Sequence, residues 1–383
     1  MKFLFWMAAV WLGYTYLGYP LVLRLLSWVR PVHPVIREDY LPGVSVLVAA
    51  RNEEKDIGWK VNETLQWDYP KELLSVRVAS DASEDLTDEI LKGIKDPRMT
   101  FVRMERRSGK NAALNRLAQA APGELLFFTD ANSHIPPHCL RKVVRHFADP
   151  RVGCVTGDTH SAEDSSDSVI EEGAGAYGGY ESRIRGLESR IGSVLVCDGA
   201  IFCVRRSLYA PLLPELANDL ELPLRIGAAG YWVRHEPEAQ VFEKDTVSPW
   251  ESFEQRRRIS AQGMLGMWKL RSTLGGLRGW QFVSRKFLRW LTLVPLALLL
   301  VSSASLAATP LFALALAIQL VFYGMALAGL LIAAAGRSSN RWVSVPFYVV
   351  LGSASTLAGV FDACRGRRFA VWEIASLSRG AGP

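Results

Sequence analysis

Cysteine is scarce in this chain and forms no metal-binding pattern. The five cysteines, Cys139, Cys154, Cys197, Cys203 and Cys364, include no CxxC pair and are odd in number. That argues against a zinc site or a disulfide framework and for reduced, packed thiols. No GxGxxG turn and no GxxxxGK[ST] loop follows the first strand-like run at residues 44–50, so dinucleotide and P-loop chemistry are disfavoured. A basic-aromatic RNA-binding motif is also missing, although the net charge is +6. The basic residues sit beside apolar runs instead, which favours a membrane surface over nucleic acid as the anionic partner.

What the chain has in abundance is apolar sequence at its two ends. Hydrophobic residues make up 49% of the 383 residues, and mean hydropathy is +0.11. Residues 44–286 read as an ordinary soluble domain, long enough to bury its own core. Residues 3–28, FLFWMAAVWLGYTYLGYPLVLRLLSW, exceed the roughly 20 residues a bilayer core requires. They are expected to form an N-terminal transmembrane anchor (1–28) rather than a shorter, cleaved signal peptide. Further apolar runs at 288–308, 311–334 and 343–362 predict a C-terminal transmembrane region (288–363), with turns at Thr309-Pro310 and at residues 336–341. An amphipathic interface segment (269–287) precedes it, and a cytoplasmic tail (364–383) follows. Arg271, Arg278, Arg285, Lys286 and Arg289 lead into these runs, which places the main domain on the cytoplasmic side of a multi-pass cell (inner) membrane protein. A full crossing by 343–362 would put Arg365, Arg367 and Arg368 outside. Ser344, Ser353, Ser355 and Thr356 make this run the least apolar, so a shallow or re-entrant course is the alternative.

Within the soluble domain, short β-branched or aromatic runs at 44–50, 74–79, 99–104 and 125–129 alternate with helical patterns at 56–65, 86–94 and 110–120. That alternation predicts an α/β domain with a parallel sheet and helices on both faces. Ligands of such sheets sit beyond the carboxyl ends of the strands. Polar clusters fall at three of those ends: Arg51 to Glu54, Asp81 to Asp85, and Asp130 to Ser133.

Asp130 and Asn132 lie two residues apart after LLFFT. In an extended chain both side chains point to one side and offer oxygen to a hard cation; a turn or helix cap is the competing role. Asp81 is a candidate for a nucleotide hydroxyl or base, or else caps the next helix together with Ser83. Lys110 follows Ser108-Gly109 at a helix start, a setting suited to phosphate or to a solvated basic loop. Asp219, with Glu221 as runner-up, is a candidate general base, or part of a first turn capped by Asn218. The run Glu254-Gln255-Arg256-Arg257-Arg258 can neutralise a leaving diphosphate, or can line a membrane surface.

In order, these motifs resemble the membrane-integrated family 2 glycosyltransferases of GT-A fold, the group that includes cellulose, chitin and hyaluronan synthases. The resemblance covers about residues 44–268, the expected catalytic domain, plus the flanking helices. VSVLVAARNEE, with Glu53, resembles the family's opening strand and loop, and Asp81 falls at its nucleotide-contacting aspartate. SGKNAALN, with Lys110, is similar to its lysine segment, and Asp130-Ala131-Asn132 sits at its DxD metal motif. GAIFCVRRSLY resembles the segment near the acceptor, Asp219 falls at the base, and Gln255 to Ile259 lies at QxxRW. The resemblance implies a Rossmann-like nucleotide-diphospho-sugar transferase domain that binds its donor through Asp81, Glu53, Lys110, Asp130, Gln255, Arg257 and Arg258. It implies a divalent cation (Mn2+ or Mg2+) on Asp130 and Asn132, with Asp219 catalysing inverting transfer to a lipid-linked or glycan acceptor. Asn132, Asn218 and Ile259 depart from the pattern, and Ile259 in place of Trp argues for short products over processive synthesis. The competing functions are a processive polysaccharide synthase, a membrane-bound nucleotidyltransferase, and a non-enzymatic membrane scaffold.

Overall fold

The computed structural model describes residues 1–161, 169–243, 248–335, 337, 340–367 and 369. The expected turn at 336–341 lies partly outside them, as do Arg368 and the tail from residue 370. Strands β1 (Val44–Ala50), β2 (Leu74–Ser80), β3 (Met99–Arg103), β4 (Leu125–Asp130), β5 (Val152–Ser161), β6 (Phe202–Arg205) and β7 (Trp232–Glu243) form one sheet in the order β3-β2-β1-β4-β6-β5-β7. The helices are, in chain order, α1 (Lys2–Gly13), α2 (Tyr19–Val29), α3 (Ile57–Leu65), α4 (Thr87–Gly93), α5 (Lys110–Gln119), α6 (Cys139–Val144), α7 (Val169–Arg190), α8 (Asn218–Ala228), α9 (Pro249–Lys269), α10 (Leu277–Phe282), α11 (Leu288–Trp290), α12 (Leu293–Ser305), α13 (Pro310–Ala334) and α14 (Arg341–Cys364).

The first four strands and three helices fall within a residue or so of the sequence expectation. β1 is buried along its whole length, because alternate side chains enter two separate cores. Val44, Val46 and Val48 pack with Ile57, Val61 and Leu91 of α3 and α4. Leu47 and Ala49 pack with Ala113, Leu114 and Leu117 of α5. The parallel sheet expected from the sequence is found in its first four strands and extends into a mixed sheet. β3, β2, β1 and β4 run parallel, whereas β6 runs antiparallel to both β4 and β5. The chain enters β6 from the carboxyl half of β5, where Gly157 N–H donates to Ile201 O at 3.1 Å and Asp198 N–H donates to Thr156 Oγ1 at 2.8 Å. This reversal carries Asp198 and Gly199 to the same sheet end as Asp130.

Helices α13 and α14 are long and apolar enough to cross a membrane. The pair α10–α11 plus α12, bent by 58°, makes a third candidate if it is one span. Half of the apolar window of α14 is buried inside the protein, against 11% for α13. Its serines fit that surrounding: Ser344, Ser353 and Ser355 are buried and donate back to carbonyls of their own helix.

The N-terminal anchor expected at residues 1–28 is overturned: this segment is not a membrane span. A π-helical turn at Tyr14–Gly18 interrupts it, and one face of its second half packs against α7. Tyr19 and Leu23 are buried against Ile184 of α7. Tyr19 Oη donates to Glu188 at 2.5 Å, Tyr180 Oη donates to Tyr16 O at 3.0 Å, and Tyr14 Oη shares a hydrogen bond with Ser284 Oγ at 2.7 Å. Apolarity was visible in the sequence, but the packing partner was not.

A buried ion cluster ties α7 to the segment before α12. Arg285, 1% exposed along its side chain, pairs with Glu181 at 2.7 Å and with Glu188, and Arg289 also contacts Glu181. Burial of such charges is tolerated only while every partner is present. Arg285→Met leaves two buried carboxylates short of a counter-charge. It is expected to cost about 3–5 kcal/mol, read as a lowered unfolding midpoint in detergent, while the exposed Arg24→Met leaves the midpoint unchanged.

Candidate active site

The amino end of α5 organises the carboxyl edge of the sheet. Gly109, at φ 89°, turns the chain into the helix in a conformation that strains any side chain. The Asp81 carboxylate at the end of β2 holds that turn, accepting from Ser108 N–H at 2.7 Å and Gly109 N–H at 2.8 Å. Lys110 then reaches Asp130 at the end of β4 and forms a direct ion pair. Asn111 and Asn115, one turn apart on α5, grip the loop that leads to α8. Asn111 Nδ2 donates to Leu213 O at 2.6 Å and Leu216 O at 2.8 Å, and Asn115 Nδ2 donates to Leu212 O at 3.0 Å. The KNAALN segment is thus a bracket: one lysine faces Asp130, and two asparagines position the loop before Asp219.

A cavity of about 220 Å3 lies at this edge. Its wall includes Lys110, Asp130, Gly199, Asp219, Arg258 and Ile259. Four of the residues singled out from the sequence therefore meet in one place: Lys110, Asp130, Asp219 and Arg258. Asn218 and Ile259, which depart from the family pattern, also line it, whereas Glu53, Asp81, Asn132, Glu221, Gln255 and Arg257 do not. Glu53 is buried, with its N–H on Thr87 Oγ1 at 2.8 Å. Asp81 is fully buried under the Ser108-Gly109 turn. Asn132 and Gln255 are exposed outside the cavity. Arg257 turns to α14, where its Nε meets Asp362 at 2.6 Å. The runner-up base Glu221 is buried and committed to Arg225 at 2.5 Å and to Leu213 N–H at 3.0 Å. Gln262 and Phe369, also in the wall, were not singled out. The signal for Gln262 was its i+4 spacing from Arg258; Phe369 had none.

Charge balance at the site is close. Burial pushes the Asp219 carboxyl up, and Lys286 and Lys110 oppose that shift. Burial alone would lower Lys110, but Asp130 beside it holds the ammonium above its ordinary value. Lys60 is fully buried and pushed down to about 8 by desolvation. Glu243, at the end of β7, is pushed up to about 8 by burial, with Asp130 and Asp198 adding to the shift. Oxygen donors suited to a hard cation are therefore present in Asp130 and Glu243, whose Oε1 is buried without a hydrogen-bond partner. Among the described residues, no three His, Cys, Asp or Glu side chains form a complete cage. A cation would draw its remaining ligands from substrate phosphates, as Mg2+ sites commonly do.

The fold is of the GT-A type. A mannosyltransferase from Pyrobaculum calidifontis, solved with GDP-Man and Mn2+, superposes with a TM-score of 0.68 at 22% identity, over 92% of this chain and 99% of that one. The sequence description of glycosyl transferase family 2 matches residues 45–210, and the domain belongs to that family. Among curated relatives, a beta-monoglucosyldiacylglycerol synthase of Synechocystis sp. is 35% identical over 118 residues, 30% of this chain and 25% of its own length. A poly-beta-1,6-N-acetyl-D-glucosamine synthase of Staphylococcus aureus is 24% identical over 214 residues, 53% of this chain and 50% of its own. The chain thus spans between a quarter and half of the length of these curated relatives.

Proposed function

We propose that this chain is an inverting glycosyltransferase that moves a sugar from a nucleotide-sugar donor to a membrane-associated acceptor: a glycolipid, a lipid-linked sugar or an exopolysaccharide. The observation that carries this reading is the shared cavity, in which Asp219 faces the Lys110–Asp130 pair and Arg258. The Pyrobaculum enzyme's GDP-Man and Mn2+ and the Synechocystis relative's glycolipid product support the donor and acceptor classes. The domain lies on the cytoplasmic face of the cell membrane, where nucleotide sugars are made and where the basic residues before the apolar helices belong.

In this mechanism Asp219 removes the proton from the acceptor hydroxyl as that oxygen attacks the anomeric carbon. The bond to the nucleoside diphosphate breaks in the same step, so the anomeric configuration inverts. Lys110 and Arg258 neutralise the departing diphosphate. Asp130 would hold a divalent cation, Mn2+ or Mg2+, which when bound would supply further charge neutralisation to that leaving group. Release of nucleoside diphosphate from a panel of nucleotide sugars tests the reading. Release of pyrophosphate instead would identify a nucleotidyltransferase, and no turnover with any donor would favour a scaffold.

Asp130→Ala is expected to cut turnover by at least about a hundredfold, the scale of a lost electrostatic stabiliser; near-normal rates, or full activity in EDTA, would contradict the metal assignment. Asp219→Asn should abolish transfer while nucleotide-sugar binding stays nearly intact. In the parent protein the rate should fall on the acid side as Asp219, held above the usual carboxylate range, takes up its proton. A dead Glu221→Gln beside an active Asp219→Asn would move the base to Glu221. For product length, Ile259 lines the cavity and is 49% exposed, where the processive relatives place a flat Trp. Trp268 is exposed elsewhere on α9. Membranes given labelled nucleotide sugar should therefore yield products extended by one or a few sugars. High-molecular-weight polymer from the first minutes would show processive synthesis.

A further inference from the structure

We propose that Glu243 is the second carboxylate ligand of the divalent cation held at Asp130. The inference rests on the metal-dependent reading above and assigns it a residue that no motif marks.

Position comes from the backbone. His134 and Phe242 exchange N–H to carbonyl hydrogen bonds, each 2.8 Å, an antiparallel bridge that clamps the turn after Asp130 onto the last residues of β7. The ladder to β5 continues to the end of β7, with Ser161 opposite Glu243. Glu243 is thereby held beside the Asp130 turn by two neighbours at once.

Its chemistry is unfinished. Among the described residues, Glu243 Oε1 is buried and finds no hydrogen-bond partner. A buried carboxylate oxygen without a donor is costly, and a cation shared with Asp130 removes that cost. Among the described residues, the charged groups that act on it most are Asp130, Asp198, Lys110 and Lys60. Each already has a partner. Asp198 accepts from Thr159 N–H at 3.0 Å and Thr159 Oγ1 at 2.5 Å. Lys60 Nζ donates to Ser133 O at 2.7 Å, and Lys110 lies on Asp130. Glu243 is left as the carboxylate with an open oxygen. With a cation bound, its carboxylate would supply the negative charge that Asn132, exposed and neutral, cannot. One or two protein carboxylates completed by substrate phosphates is an ordinary arrangement for Mg2+.

The test is Mn2+ binding to the full chain in detergent, read by electron paramagnetic resonance with and without a nucleoside diphosphate. Unfolding midpoints in EDTA confirm that each variant is folded. Glu243→Gln and Glu243→Asp, the second keeping the charge but shortening the reach, should each weaken Mn2+ binding by at least about fivefold, within the range seen for altered metal surroundings. Should the glutamine variant fail to fold, the aspartate variant carries the comparison. A Glu243→Gln protein within about fivefold of the parent, alongside loss of binding in Asp130→Asn, overturns the role of Glu243 and leaves the metal at Asp130. A Glu243→Asp protein that binds like the parent also overturns it, because charge alone would then suffice. No Mn2+ binding by the parent, even with diphosphate, overturns both this inference and the metal-dependent reading.

Discussion

The contact between Lys110 and Asp130 is the constraint on which the site depends. A carboxylate at the carboxyl end of a buried parallel strand needs a counter-charge, and here it comes from the first residue of the next helix. That requirement fixes where α5 begins. It explains why Gly109 precedes it with a positive φ, and why Asp81 uses both carboxylate oxygens on the turn amides. Once α5 is placed, Asn111 and Asn115 fix the 212–216 loop, and that loop leads into Asp219 in the wall of the same cavity. One helix thus positions both the Lys110–Asp130 pair and the approach to Asp219.

The membrane side is joined to the same cavity through α9. Arg258 and Ile259 face the cavity, while the neighbouring residues turn to α14. Arg257 pairs with Asp362, and Arg256 contacts the Tyr348 hydroxyl and lies 4.1 Å from its ring centroid. Successive residues on a helix point about 100° apart, so one basic run serves both the site and the packing of an apolar helix. The buried Arg285–Glu181–Glu188 cluster provides a second rigid joint.

Much of this was legible in the sequence. VSVLVAA and LLFFT are uninterrupted apolar runs ended by polar residues, and they are strands β1 and β4. β7 was missed because WVRHEPEAQVFE carries four charged residues and a histidine, several of them buried in pairs such as Glu236 with His146 and His235 with Asp158. A polar strand whose partners lie far away in the chain looks like a loop. The same blindness hid Glu243 at its end. The N-terminal helix was misread for the converse reason: tyrosines that reach Glu188, Ser284 and Thr292 look like an aromatic membrane segment until their partners are known. Lys110, Asp130, Asp219 and Arg258, to which strand ends and motif order point, line one cavity. Sequence order alone did not say that Arg257 faces away from the cavity and Arg258 toward it.

The account stands or falls on a single displacement with Asp219 opposite the leaving diphosphate. The most direct measurement is the anomeric configuration of the glycoside formed from an α-linked nucleotide sugar, read by proton nuclear magnetic resonance on the purified product. A β-linked product is predicted. An α-linked product would contradict the account, because it requires either two displacements or attack from the donor's own face, and Asp219 would then not be the base.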